Sequence, residues 1–140
     1  MIEIKKILFA DKENMKKCFS IRKEVFIEEQ RCDPKDEYEN EEESIHFLLI
    51  HNNIECATAR YRETNKGIKM ERFAVLKAQR GKGYGLLILK AIIEDISEIK
   101  SLKYLHAQVQ VVKFYEKAGF KKIGEKFDEV GIMHYKMILN

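Results

Sequence analysis

The sequence predicts a mixed α/β fold of the α+β kind, in which helices flank a central sheet. Segments with a two-residue apolar period alternate with segments of helical period, in the order β-α-β-β-β-α-β-α-β-β. The chain has 140 residues and is 45% hydrophobic, which fits one compact domain spanning residues 1–140. A loop with three glycines separates a predicted strand from a predicted helix. We therefore expect a mixed sheet rather than an all-parallel one.

A strand and a long helix open the chain. Ile2 and Ile4 indicate the strand. From Asp11 to about Gln30 apolar residues recur at helical spacing, and Asp11 is a suitable N-cap. Arg22 falls on the same apolar stripe, where it either reaches towards solvent or holds a carboxylate.

A hairpin and a further strand form the middle of the chain. Ile45–His51 and Ile54–Arg62 read as two strands joined at Asn52-Asn53, a dipeptide typical of tight hairpin turns. A second turn begins at Lys66-Gly67, and Ile68–Leu76 is the next strand.

The second half of the chain alternates helices and strands. Apolar residues from Leu86 to Ile99 predict a long amphipathic helix. Tyr104–Gln110 reads as a strand and Val111–Ala118 as a short helix. Phe120–Ile123 and Ile132–Leu139 are the closing strands.

Composition excludes several classes of protein. Charged residues interrupt the longest apolar run, so no membrane span is expected, and no signal-peptide core stands at the start. The three cysteines form no C-x-x-C pair, which argues against a disulfide framework or a metal site. Lys and Arg are spread along the chain without interleaved aromatic residues, so nucleic acid is not an expected partner. A soluble cytoplasmic protein is the expectation.

The charge is unevenly distributed along the chain. The formal net charge is +3, but the segment 33–44 holds seven acids against Lys35, a local charge of −6 that leaves +9 elsewhere. Such an acidic segment is either a solvated loop or a surface that attracts a cationic partner. Pro34 also favours a loop.

The glycine-rich loop is the strongest functional signal. Residues 79–85 read Gln-Arg-Gly-Lys-Gly-Tyr-Gly, and a helix that starts at Tyr84 would direct its positive dipole end at a bound phosphate. Leu86 and Leu87 stand where a Walker A loop continues with Lys and Ser or Thr, and the glycine spacing does not fit a dinucleotide-binding fingerprint. A glycine-rich turn without a ligand is the alternative.

Three segments together resemble one known family. Arg80 to Gly85 looks like the pyrophosphate loop of the GNAT superfamily of acyl-CoA-dependent N-acetyltransferases. Glu71 to Val75 resembles the central strand of that family, and Phe114 to Phe120 resembles its F-Y-x-x-x-G-F segment. The resemblance covers the whole chain and implies a GNAT-like acyl-CoA N-acyltransferase fold.

The resemblance extends to a small bacterial subgroup with an R-x-x-V-F-x-x-E-Q first helix. The matching residues are Arg22, Val25, Phe26, Glu29 and Gln30. The segment from Gly131 to His134 resembles the closing G-I-P-H of the subgroup, with Met133 in place of the proline. Glu39 stands where an aspartate is common. Both departures lie where the acceptor would bind, so the acceptor substrates of relatives cannot be assigned to this protein by analogy.

The resemblance assigns the donor site to acetyl-CoA as co-substrate. It implies that Phe73, Ala74 and Val75 bulge, splay from Tyr104–Gln110 and offer backbone groups to the pantetheine. The loop would hold the pyrophosphate, with Gln110 and Phe114 on the other wall. The loop residues are Arg80, Gly81, Lys82, Gly83, Tyr84 and Gly85.

Catalysis requires an acid for the leaving thiolate and a neutral amine. The resemblance places Tyr115 as general acid, with a core tyrosine as the alternative. Glu71 is the leading candidate for the base, although it could equally pair with Arg60 or Arg72. His134 is the second candidate for the base, since histidine titrates near about pH 6.5.

The expected activity is direct transfer of an acetyl group from acetyl-CoA to a primary amine of a small molecule or peptide. Arg22, Phe26 and His134 are the candidate acceptor residues. A catalytically silent acyl-CoA-binding or sensing domain is the alternative. An exposed sheet edge near the C-terminus could support a homodimer. The identity of the amine and the acyl-chain preference stay open.

Overall fold

A computed structural model describes residues 1–139 and contains one seven-stranded mixed sheet. Its spatial order is β1-β2-β3-β4-β5-β7-β6; β4 and β5 pair parallel and the other neighbours antiparallel. This confirms the predicted mixed sheet. The strands are β1 Ile2–Leu8, β2 Ser44–His51, β3 Ile54–Thr64, β4 Gly67–Val75, β5 Lys103–Gln108, β6 Phe120–Glu129 and β7 Ile132–Leu139.

Four α-helices and a π-helical extension connect and cover these strands. They are α1 Lys12–Arg22 with its π-helical extension Lys23–Glu29, α2 Pro34–Glu37, α3 Tyr84–Asp95 and α4 Val112–Lys117. Asp11 caps α1 as predicted, because its carboxylate accepts the Asn14 backbone N–H at 3.2 Å. Short 3₁₀ turns occupy Lys77–Gln79 and Val109–Val111.

Several element boundaries differ from the predicted ones. Helix α3 ends at Asp95, because the chain tightens into a turn in which the Ile99 N–H bonds the Ile96 carbonyl. Gln110 lies in a 3₁₀ turn beyond β5 and not within the strand. The acidic segment contains the short helix α2, which Asp33 caps by accepting the Lys35 N–H.

The β2–β3 hairpin has the predicted turn. Asn52 and Asn53 have φ angles of 51° and 66°, a left-handed pair that matches the right-handed twist of the flanking strands. Asparagine tolerates this conformation better than most side chains do, which explains why the dipeptide predicted the turn.

Apolar side chains fill both faces of the sheet. On one face, Ile88, Leu89 and Ile92 of α3 pack with buried residues of β3, β4 and β5. On the other face, Met15 and Ile21 of α1 pack against β1, β2 and β4. Helices therefore flank the sheet on both sides, as the sequence order predicted.

Strand β4 bulges and then leaves β5. The register against β3 shifts between Thr58, which pairs with Ala74, and Arg60, which pairs with Glu71. Arg72, inside this bulge, has a φ of 59°. The parallel ladder with β5 ends at the pair of Met70 and Leu105. Beyond that pair the two strands diverge, as the resemblance implied.

The sheet ends at β1 on one side and at β6 on the other. The register of β6 against β7 shifts between Ile123 and Phe127, and β6 carries the exposed Lys121, Lys122 and Lys126. Charges and a bulge are features that oppose edge-to-edge pairing. Within residues 1–139, each helix is too short or too polar to cross a membrane.

Candidate active site

A cavity of about 690 Å³ opens where β4 and β5 diverge. Its walls come from the π-helical extension, the acidic segment, the bulged half of β4, the glycine loop, α4 and the β6–β7 turn. Of the predicted site residues, those that line it are Phe26, Glu71, Phe73, Ala74, Val75, Arg80, Gly81, Gly83, Tyr84, Gly85, Gln110, Phe114, Tyr115 and His134. Arg22 and Lys82 lie outside the lining.

The glycine loop presents an open surface at the start of α3. Gly81 and Gly83 both have a φ of 81°, a conformation that glycine adopts without strain. A Cβ built on either residue would meet no heavy atom of residues 1–139 within 4 Å. Helix α3 begins at Tyr84, so its unpaired N–H groups and positive dipole end border this surface. The arrangement suits an anionic group.

Two loop side chains serve to hold the loop in place. Tyr84 is buried and its hydroxyl bonds the Nδ1 of His51 at the end of β2. The Lys82 ammonium donates to the Gln79 side chain at 3.0 Å and projects from the exposed surface of the loop. The polar groups of both side chains are thus engaged within the protein.

The Arg80 guanidinium is already paired. It donates two hydrogen bonds of 2.7 Å to the Glu29 carboxylate and one of 2.9 Å to the Val75 carbonyl. Its charge is therefore compensated by the protein. The backbone N–H groups at the start of α3, which have no partner within the helix, are further donors beside it. The place of Arg80 at a pyrophosphate stays a prediction.

Gln30, the residue after Glu29, contacts the β5 side of the opening between β4 and β5. The Gln30 side chain accepts a bond of 3.3 Å from Gln108 at the end of β5, and Gln110 donates to Gln108 at 2.6 Å. The end of the π-helical extension thus contacts the β4 side through Glu29 and the β5 side through Gln30. Sequence reasoning did not detect either contact.

Tyr115 lies in an aromatic pocket on the cavity wall. The rings of Phe73, Phe114 and Phe120 surround it, with centroids 5.1 to 5.9 Å away. Within residues 1–139 its hydroxyl has no hydrogen-bond partner, although the side chain is 7% exposed and lines the cavity. Burial raises the pKa of Tyr115, so the phenol keeps its proton at neutral pH.

Glu71 is surrounded by cations. Arg60 and Arg62 each donate to its carboxylate at 2.8 Å, and the Lys69 ammonium lies 3.3 Å away. Burial raises the pKa of Glu71, but Arg60, Arg72 and Lys69 outweigh this effect and lower it to about 2. A carboxylate of such low basicity is a poor proton acceptor. The structure supports the ion-pair alternative, against our leading assignment of Glu71 as the base.

Arg22 holds carboxylates of the protein itself. Its side chain is 1% exposed and bonds the Glu37 carboxylate at 2.7 Å and both Glu41 oxygens at 2.8 and 2.9 Å. Glu41 also accepts from Arg60 at 2.7 Å. These pairs attach the acidic segment to α1 and β3. Arg22 is therefore unavailable to an acceptor, which corrects its assignment as an acceptor residue.

A histidine–glutamate cluster lies at the cavity end formed by the β6–β7 turn. His106 Nδ1 is 3.0 Å from Glu129 Oε1, and His134 Nε2 is 3.5 Å from Glu129 Oε2. The Phe127 ring packs against both imidazoles. Sequence reasoning selected His134 but missed Glu129, because the predicted closing strand ended at Ile123, and it did not single out His106 within the predicted strand Tyr104–Gln110. The Val130-Gly131 dipeptide is the signal that could have revealed the longer hairpin.

Comparison with known proteins identifies the family. A family model described as an acetyltransferase (GNAT) domain matches residues 10–140. The uncharacterized N-acetyltransferase YjcF of Bacillus subtilis (strain 168) is 33% identical over 138 residues, covering 96% of this chain and 99% of that protein. The chain therefore belongs to the GNAT acetyltransferase family, and it is an acyltransferase.

Solved structures show the same fold. The crystal structure of Escherichia coli ElaA has a TM-score of 0.89 at 24% identity and covers 100% of both chains. An acyl-CoA N-acyltransferase from Pseudomonas aeruginosa has a TM-score of 0.87 at 21% identity with the same coverage. At these identities the likeness shows the GNAT acyl-CoA N-acyltransferase fold, which confirms the predicted fold class.

Proposed function

We propose that this protein transfers an acetyl group from acetyl-CoA directly to a primary amine of a small molecule or peptide. The observation that carries the proposal is the divergence of β4 from β5 between the glycine loop and Tyr115. One opening thereby offers an anion-binding backbone, unpaired strand edges and a buried phenol.

The donor side of the cavity fits acetyl-CoA. The backbone of Gly81 and Gly83 with the start of α3 would hold the pyrophosphate. Backbone groups of Phe73 and Val75, which lie beyond the end of the β4–β5 ladder, would pair with the pantetheine amides as an added strand does. Acetyl-CoA supplies a thioester, whose carbonyl is the acyl donor.

Tyr115 would provide the proton for the departing thiolate. Its hydroxyl is free of internal hydrogen bonds within the described chain and its burial keeps it protonated. The phenyl rings of Phe73 and Phe114 give the phenol an apolar surrounding on the cavity wall, in which electrostatic interactions are stronger than in water. With Glu71 engaged by four cations, the amine must lose its proton to another group or to water.

Replacement of Tyr115 by phenylalanine tests this role. We expect turnover to fall by about 100-fold or more, since general acids contribute about 10²–10⁴. Affinity for acetyl-CoA should stay near the wild-type value, because the phenol does not hold the pyrophosphate. Release of free thiol against a panel of primary amines, with calorimetric titration of acetyl-CoA, measures both quantities.

Tyr135→Phe on β7 is the matched control, since Tyr135 packs on the core outside the cavity lining. Its turnover should resemble that of the wild type. Acetyl-CoA binding without thiol release from any amine would instead favour the alternative, a catalytically silent acyl-CoA sensor. Equal turnover of Tyr115→Phe and Tyr135→Phe would remove Tyr115 from the mechanism.

A further inference from the structure

We infer that Glu129 and His134 form the acceptor pocket, which takes a primary alkylammonium and removes one of its protons. This inference rests on the proposed function and names its substrate class. The carboxylate holds the cationic nitrogen, and His134 Nε2 accepts the proton. No sequence pattern pointed to Glu129, and the assignment follows from the cavity geometry.

The two oxygens of Glu129 have different surroundings. Oε1 accepts a hydrogen bond of 3.0 Å from His106 Nδ1, which fixes the carboxylate from the β5 side. Oε2 lies 3.5 Å from His134 Nε2, beyond the usual hydrogen-bond length. The hydrogen bond from His106 lowers the pKa of Glu129, so the carboxylate is ionised at neutral pH. Within residues 1–139, Oε2 thus accepts no hydrogen bond, and the Glu129 side chain lines the cavity.

The tautomer of neutral His134 follows from its neighbours. Its Nδ1 lies 2.8 Å from the Ile132 carbonyl, which can only accept, so Nδ1 carries the hydrogen. The lone pair of the neutral ring is therefore on Nε2. His134 as a whole residue is 8% exposed, and its ring stacks on Phe127 and lines the cavity. Within residues 1–139, Nε2 has Glu129 beside it at 3.5 Å and no hydrogen bond.

Lone pairs on Glu129 Oε2 and His134 Nε2 together match an ammonium group. An alkylammonium has three N–H donors and no acceptor, so it can donate to both atoms at once. The charged groups that face this point are Lys69 and Glu71 of β4, His106 of β5 and Glu129 of β6. Lys69 is paired with Glu71 at 3.3 Å, so its charge is shared between the two carboxylates.

The turn beside the pair offers an apolar wall for an alkyl chain. Val130 is 62% exposed, Ile132 lies two residues later, and both line the cavity. Val130 also has a φ of 52°, which is strained for a β-branched residue. Asparagine would suit this turn better. Strain of this kind concentrates at functional sites, and here it places an apolar side chain next to Glu129.

The proton transfer is simple. One N–H bond of the ammonium breaks and an Nε2–H bond forms on His134, so the positive charge passes to the imidazole. Glu129, at 3.5 Å, stabilises the imidazolium, and the amine keeps a free lone pair. The imidazolium later returns its proton to water at the cavity mouth. No further reagent is needed.

Binding of hexylamine to the protein without acetyl-CoA tests the inference. Imidazole signals in nuclear magnetic resonance spectra report the titration, and spectra of His134→Gln identify those of His134. Hexylamine, a cation at neutral pH, should shift the His134 signals saturably, whereas hexan-1-ol should not. Glu129→Gln should weaken hexylamine binding about tenfold or more, because a hydrogen bond to a charged group is lost.

Glu125→Gln is the matched control, since Glu125 lies exposed on the same strand outside the cavity lining. It should bind hexylamine as the wild type does. Equal binding of hexylamine and hexan-1-ol, or unchanged binding by Glu129→Gln, would overturn the inference. Calorimetric titration of wild-type protein with acetyl-CoA is the separate measurement: its failure would remove the proposed function and leave the cation pocket standing.

Discussion

At the scale of single residues, neighbouring charges decide the chemistry of Glu71. The sequence places a carboxylate on the strand beside the expected acyl group, where it could act as a base. Arg60, Arg62 and Lys69 instead bind its oxygens and hold it ionised. Removing one partner of a buried ion pair leaves the others uncompensated, so Glu71 contributes to stability.

We predict that Glu71→Gln lowers the free energy of unfolding by about 3–5 kcal/mol, as expected for a broken buried ion pair. Urea denaturation measures it. Glu63→Gln, an exposed change on the neighbouring strand β3, should alter stability by less than about 0.5 kcal/mol. Equal effects of the two changes would contradict the ion-pair role.

The acid side of the stability curve gives a second prediction. The pKa of Glu71 is about 2 in the folded state, and an unfolded glutamate titrates near about 4.3. Its stabilisation is therefore present above about pH 4.3 and is lost as the pH falls towards 2. Wild-type protein should lose more stability over this window than Glu71→Gln does. Parallel pH curves for the two proteins would contradict the lowered pKa.

Single-residue environments were the hardest part to predict from the sequence. The apolar stripe of the first helix showed that Arg22 is unusual, but the carboxylate it was expected to hold was that of an amino-acid-like acceptor and not one of the protein. Its partners, Glu37 and Glu41, come from a loop whose path no periodicity defines. Glu129 escaped detection for the same reason, because only the folded hairpin brings it to His106 and His134.

At the scale of elements, the glycine loop depends on backbone conformation. Gly81 and Gly83 adopt a left-handed φ, so a Cβ costs about 1–2 kcal/mol although space is available. A substitution that shifts this backbone would also change the position of the loop N–H groups beside the cavity. The loop is thus sensitive to substitution through its conformation and not through crowding.

We predict that Gly83→Ala weakens acetyl-CoA binding about tenfold, which corresponds to about 1.4 kcal/mol of binding free energy. The variant should also lose a small amount of folding stability. Gly124→Ala is the matched control, because Gly124 also has a positive φ, of 72°, and open space, but lies on β6. It should lose similar stability and keep its affinity. Calorimetric titration measures both variants, and equal affinities would contradict the role of the loop.

Strong periodicity predicted the existence and type of most elements, whereas their ends followed from local contacts. The start of α3 at Tyr84 was predicted correctly, because glycine marks it. Its end was placed too late, since Ile96 and Ile99 continue the apolar spacing after the helix stops. The π-helical stretch Lys23–Glu29 has the same apolar pattern as an α-helix and could not be recognised.

At the scale of the whole molecule, one break in the sheet creates the cavity. The ladder between β4 and β5 extends over three residue pairs and then stops, while β4 stays paired to β3 through a bulge. The order of elements predicted a mixed sheet, and the resemblance to GNAT proteins implied the splay. The pairing of distant strands, such as β5 with β7, was beyond what periodicity specifies. The single domain, the homodimer and the cytoplasmic location stay predictions.

The free energy of unfolding with and without acetyl-CoA tests the central claim, that the cavity binds acetyl-CoA. At a ligand concentration about 100 times the dissociation constant, binding to the folded state alone adds about 2.7 kcal/mol. Thermal denaturation should therefore show a clear increase in melting temperature with acetyl-CoA and none with ATP at equal concentration. An unchanged melting temperature with acetyl-CoA and with other acyl-CoA thioesters would contradict the account.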